Sequence, residues 1–241
     1  FKSVLAISQN PKVLSRSVSF AFDKAWAEAT LQGEGYSFDA YPTMRLAKTI
    51  DADSEAEKDP NLPPLMTWAS TIVVAPLATD HTEISNRLFD FRSEFILFSE
   101  HVKSATLRNE TGDGREPRPG KPRLRIRKIS QSVESDGLVT LRVEGHPPTR
   151  WAVARSSYNP SPADIEDGGY VAGRSQVELQ YATRIPPAST DRLGSFWAYF
   201  PTRFATTLSG LINAPFKLSD DRTGLLEGRF NMEMVNRVPG L

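Results

Sequence analysis

Apolar positions along the chain change their rhythm partway through, and the change suggests two kinds of architecture. In residues 1–8, Val4, Leu5 and Ile7 give the buried side of an opening helix, which Asn10-Pro11 breaks. Residues 13–22 alternate in places, as a strand pair does, and Asp23 can cap a short helix over 24–31 with Ala25, Trp26 and Ala29 as packing positions. Residues 33–64 are polar, acidic and rich in breakers; they read as exposed loop, most charged over 51–59. Residues 68–77 form a nearly continuous, β-branched apolar run, too short for a helix, which predicts a central strand buried on both faces. Asp80-His81-Thr82-Glu83 has the capping-box pattern, and Ile84, Leu88, Phe91, Phe95 and Phe98 follow at helical spacing.

A run of breakers then interrupts the pattern: Gly112, Gly114, Pro117, Pro119, Gly120 and Pro122 mark a domain boundary or a long hairpin loop. Beyond it strands dominate. Residues 123–132 and 138–143 flank Asp136-Gly137, a strong hairpin signal, and further strands are predicted over 150–154, 176–184, 194–200 and 211–218, with loop and polar tail in the remainder. The chain therefore reads as α+β, divided into residues 1–108, a linker or long loop at 109–122, and a strand-rich domain at 123–241.

Composition narrows the chemistry. Lys plus Arg and Asp plus Glu each number 29, so no net field selects nucleic acid or membrane. The chain has no cysteine, which excludes disulfides, thiolate catalysis and Cys-ligated metal, and fits a cytoplasmic protein. No apolar run reaches the ~18 residues of a membrane span. His81, His101 and His146 lack metal-ligand spacing, and residues 164–167 form a short acidic loop without calcium-loop spacing.

Three separated segments carry a family resemblance. Phe1-Lys2-Ser3, with the helix and strand leading to Phe20-Ala21-Phe22-Asp23, is similar to the tail of a Gly-x-x-Gly-x-Gly-Phe-Lys-Ser phosphate element. Residues 67–77 are similar to the strand that closes the nucleotide domain. Phe200-Pro201-Thr202, residues 211–218 and Asp221-Arg222 resemble a Phe-Phe-Pro-Thr, Asn-Ala-x-Phe-x-Leu, Arg pattern in the domain that follows. Together they resemble the sacsin-type ATPases, related to the ninety-kilodalton heat-shock chaperones within the GHKL superfamily. The resemblance implies the second half of a Bergerat-type nucleotide-binding α/β sandwich and a middle-type coupling domain, as an N-terminally truncated fragment. It also implies ATP with Mg2+ as cofactor in the parent protein, a protein client or assembly as partner, and a homodimer as one arrangement of the parent.

Residue by residue, the resemblance implies that Phe1, Lys2 and Ser3 lie on the phosphate side. Backbone N–H groups at a glycine turn and helix N-terminus bind phosphate there, and Lys2 can add a cation. Thr71 would offer a hydroxyl to the adenine or to a water beneath it. Arg222 would sense the γ-phosphate, a task suited to a permanently charged, forked group. The helix with the catalytic Glu and Mg-holding Asn, and the Asp-x-Gly-x-Gly turn, have no counterpart in these residues, so no general base is assigned and the fragment alone is expected to be inactive. Two other readings stand beside the chaperone-like ATP hydrolase. One is a non-catalytic protein-interaction module. The other is a nucleic-acid-binding module using the basic strip 115–128, whose Arg123, Arg125 and Arg127 share a strand face.

Overall fold

The computed structural model describes residues 7–37, 46–78, 81–109, 125–169, 175–187, 194–220 and 224–240, with backbone only at 81–83, 85 and 125. The described part mixes helices and strands, with strands dominating the second half, so the α+β class holds at this level. The chain divides into two compact units, 1–86 and 87–241.

The first unit is built on a four-stranded sheet of order β3-β2-β1-β4, with β1 at Lys12–Ser15, β2 at Phe20–Ala21, β3 at Lys48–Thr49 and β4 at Thr71–Val74. Helix α1 (Lys24–Gly33) starts where Asp23 accepts a hydrogen bond from Trp26 N at 3.1 Å, as its capping residue predicts. Two expectations fail here. The charged stretch 51–59 is largely helical: α2 (Ala52–Lys58) is capped by Asp51, which accepts from Ser54 N at 2.8 Å, and α3 (Leu62–Met66) follows. The apolar run gives an edge strand, not a central one; β4 pairs only with β1 among the described residues, and Val73 remains 54% exposed. Its β-branched residues suit the pleat, but local pattern does not specify how many neighbours a strand acquires.

Helix α4 (His81–Phe89) ends earlier than the apolar spacing predicts, and residues Ser93–Phe98 continue as a 3₁₀ turn. The break has a partner: Arg127 donates from Nη1 to the carbonyls of Phe89 at 3.0 Å and Phe91 at 2.6 Å. A guanidinium thus satisfies carbonyls that a continuing helix would have used. The 3₁₀ turn then delivers Ile96, Leu97 and Phe98 into the core.

The second unit holds an eight-stranded sheet of order β11-β10-β12-β9-β8-β7-β6-β5. Its strands are β5 (Ser104–Asn109), β6 (Arg125–Val133), β7 (Val139–Val143), β8 (Thr149–Tyr158), β9 (Val177–Ile185), β10 (Gly194–Ala198), β11 (Phe200–Thr206) and β12 (Leu211–Asn213). The expected linker at 109–122 falls mainly outside the described residues, between strands that pair antiparallel with Asn109 opposite Arg125. Asp136-Gly137 makes the predicted hairpin: Gly137 takes φ 82, and Leu138 N donates to the Asp136 carboxylate at 3.1 Å.

Each face of this sheet carries a core cluster, the second one drawn from β8–β10, β12 and the residues after β12. One cluster joins Phe98, Ile129, Leu141, Trp151, Trp197 and Leu211; the other joins Leu179, Ile212, Phe216, Phe230 and Met234. Adjacent residues Leu211 and Ile212 serve opposite clusters, as strand alternation requires. Each fully buried large side chain contributes ~1.5–3 kcal/mol relative to exposure. Two helices in the second unit correct the sequence reading. The acidic stretch 164–167 lies in α5 (Pro162–Gly168), opened by a capping box between Ser161 and Asp164, and the expected polar tail contains α6 (Arg229–Arg237).

Candidate functional site

The sequence-predicted site residues divide into one that the structure describes and four that it does not. Thr71 opens β4 opposite Ser15 of β1. It shares the open face of the strand with Val73, while Ile72 and Val74 are half-buried, so its hydroxyl is accessible to a ligand. Phe1, Lys2, Ser3 and Arg222 lie outside the described residues. The first described residue after Phe1-Lys2-Ser3, Ile7, accepts a hydrogen bond from Ala78 N at 2.9 Å, which ties the start of the described chain to the end of the β4 region. Farther along, Lys12 opposes Val74 and Leu14 opposes Ile72.

Beneath this sheet lies an ionic cluster that sequence reading missed. Glu55 of α2 is buried, and its carboxylate receives Lys12 of β1 and Lys58 of α2, the latter at 2.8 Å. The hydrogen bond from Lys12, and then that from Lys58, hold Glu55 below the ordinary glutamate range, outweighing the opposing effect of burial. The i,i+3 spacing of Glu55 and Lys58 was a local signal; the Lys12 contact spans 43 residues and had none.

In the second unit, the turn before Phe200-Pro201-Thr202 and the 211–218 part of the third sequence segment come together. Asn213, 2% exposed, accepts from Tyr199 N at 2.7 Å and donates to Gln180 Oε1 at 2.8 Å. Tyr199 joins β10 to β11 with φ 65, a left-handed conformation that costs a non-glycine residue about 1–3 kcal/mol, so the buried amide helps to hold a strained turn. Thr202 donates to Phe196 O at 2.7 Å, fixing the Phe-Pro-Thr segment. After β12 the chain runs through Ala214 and Phe216, both buried, to Lys217. Asn231 of α6 then grips both sides of the segment that includes Arg222. Its Oδ1 accepts from Lys217 N at 2.8 Å, and its Nδ2 donates to Lys217 O at 2.8 Å and Leu226 O at 2.7 Å. Ser219 N donates to Gly224 O at 2.9 Å, so the residues flanking 221–223 are also bound to each other.

Of the sequence-predicted site residues, the described part supplies the exposed hydroxyl of Thr71. Among the described residues, no group of three or more acidic, His or Cys residues is placed to hold a metal ion. No described helix is long and apolar enough to cross a membrane. Arg127, expected on a basic strip, is engaged with the carbonyls of Phe89 and Phe91; Arg123 and the side chain of Arg125 lie outside the described residues. Compared with known proteins, the chain matches no family model, no curated protein and no solved structure.

Proposed function

We propose that this chain is part of a GHKL-type, chaperone-like ATPase: the later half of a Bergerat-type nucleotide domain followed by a middle-type coupling domain. The observation that carries the reading is the pairing of β1 with β4. A nucleotide site needs its phosphate side and its base side in one unit. The segment that follows Phe1-Lys2-Ser3 lies antiparallel to the strand that opens with Thr71, four register pairs long.

In this reading Phe1 N–H, Lys2 and Ser3 meet phosphate, Thr71 meets the base or its water, and Arg222 senses the γ-phosphate from the coupling domain. The triphosphate acts as a conformational ligand, favouring a closed state through contacts that the diphosphate lacks. The general base and the Mg2+ ligands are not assigned to this chain. The hydrogen bonds that hold Lys217, Ser219, Gly224 and Leu226 support a coupling role for this part of the second unit.

Steady-state ATP hydrolysis by the parent protein tests the proposal. Arg222→Ala should lower turnover by roughly ten- to a thousandfold with ADP affinity nearly unchanged, and Arg222→Lys should recover only part. Unchanged turnover in a folded Arg222→Ala protein would remove the sensor assignment and, with it, much of the chaperone-like reading.

A further inference from the structure

The second unit carries an open groove of about 750 Å3 beside α6, remote in sequence from Thr71 and the phosphate-side segment. Its apolar walls include Phe196, Phe204, Leu225, Leu226, Met232 and Val235. Three of these are well exposed: Phe204 at 49%, Leu226 at 41% and Met232 at 60%. Single exposed apolar side chains are ordinary, but several converging on one concavity mark an interaction site.

Three carboxylates, Glu227, Glu233 and the buried Asp164, line the groove together with one cation, Arg229. Arg229 is opposed by Asp164 at 3.8 Å, and Glu233 is paired with Arg237 at 2.6 Å. Glu227 has no ion pair among the described residues, so its charge is available to an incoming cation.

Two alternative occupants fit less well. Strand addition at β11, the end strand of the sheet, is opposed by Pro201, which has no N–H, and by Phe204 N, already directed at Thr202 Oγ1 at 3.2 Å. A symmetric second copy would bring like-charged rims together, since a two-fold contact apposes the same patch on both partners. We propose that the groove docks a short segment of a partner protein whose apolar side chains are flanked by lysine or arginine. The apolar side chains fill the space between Phe204, Leu226 and Met232, and a flanking cation meets Glu227. This does not depend on nucleotide binding by the first unit.

The test is fluorescence anisotropy of the whole chain with a labelled peptide of about a dozen residues bearing two leucines, one phenylalanine and three lysines. The controls are one peptide with the lysines replaced by glutamates and one with the apolar residues replaced by serines. Saturable binding of the first peptide, at least tenfold tighter than of either control, is expected. Met232→Ser should weaken it by at least about fivefold, and Glu227→Lys should shift preference toward the glutamate peptide. Met232 is largely exposed, so Met232→Ser should leave the thermal melt in place. No binding, equal binding of the glutamate control, or affinity indifferent to both substitutions would overturn the proposal. Dimerisation abolished by Met232→Ser would overturn it too, and would assign the groove to a second copy.

Discussion

Asn231→Ala is the sharpest probe of how the second unit is held together. Asn231 is 6% exposed, and its carboxamide makes three hydrogen bonds to backbone that is not part of its own helix. Removing the amide leaves Lys217 N–H without its acceptor and Leu226 O without its donor. Lys217 O keeps a second partner, Leu226 N, at 3.0 Å. Two groups therefore lose their partners, each at ~1–3 kcal/mol when buried, but Lys217 is only half-buried and Leu226 is exposed. The expected loss is about 1–3 kcal/mol, still a sizeable fraction of a typical domain's stability. Urea unfolding can measure it through Trp151 and Trp197, both buried in the second unit, in a background with Trp26→Phe and Trp68→Phe. Asn231→Asp should be no better, because it discards both donors and points a carboxylate at two carbonyl oxygens. A loss below ~0.5 kcal/mol, the range of ordinary surface substitutions, would refute the view that this amide holds Lys217 and Leu226 to α6.

Two further predictions concern charged residues inside the framework. Arg127→Met keeps the aliphatic stem but abandons the carbonyls of Phe89 and Phe91; it should cost about 1–3 kcal/mol, and an unshifted thermal melt would argue that Arg127 is only a surface cation. Glu55 has a folded-state value depressed below the ordinary 4.5, so its stabilising contribution is present above that value and is lost as pH falls through the folded-state value. Thermal melts of the protein and its Glu55→Gln variant should therefore differ most near neutral pH and converge in acid; a gap that widens in acid would reverse the assignment.

Residues that carry their own instructions were legible in the sequence, and residues that borrow them were not. Asp136-Gly137 needs only its own dihedrals to turn a hairpin, and Asp23 caps the next three residues; both read correctly. Helix α6 was lost in a polar tail because Gly228 precedes it without a side-chain cap. The cap comes instead from Asp167, whose carboxylate accepts Phe230 N at 2.9 Å across 63 residues. Helix α2 was missed for the same kind of reason: its acidic sequence has almost no apolar stripe, and its buried residue, Glu55, is stabilised by Lys12 of a distant strand. β4 shows the opposite error: an apolar run fixes a preference for strand, not the two neighbours that a central strand would have. At the site, the alternation that puts Thr71 on the open face was readable once the strand's position was known. The amides of Asn213 and Asn231 were not, because nothing local announces a partner 33 or 14 residues away.

The three residues of β12 have a consequence for how the second unit is made. β12 lies parallel to β10 and antiparallel to β9, and among the described residues it alone joins the hairpin β10-β11 to the rest of the sheet. The space for it is tight: a Cβ on Gly194 would stand 1.7 Å from Gly210 O, and one on Gly210 would meet the Tyr181 ring at 2.5 Å. A nascent chain emerging from the ribosome can pair β5 through β9 as successive antiparallel neighbours, then fold the next hairpin, and still hold two sheets with raw facing edges. Only after residue 213 has been synthesised can the wedge enter between them, and α6 is later still. Unpaired strand edges are where growing chains associate wrongly. A premature stop between the start of β12 at Leu211 and the end of α6 at Arg237 would therefore do more than shorten the chain. It would release a product with its sheet unsealed or uncovered on one face, open to aggregation and to proteolytic clearance.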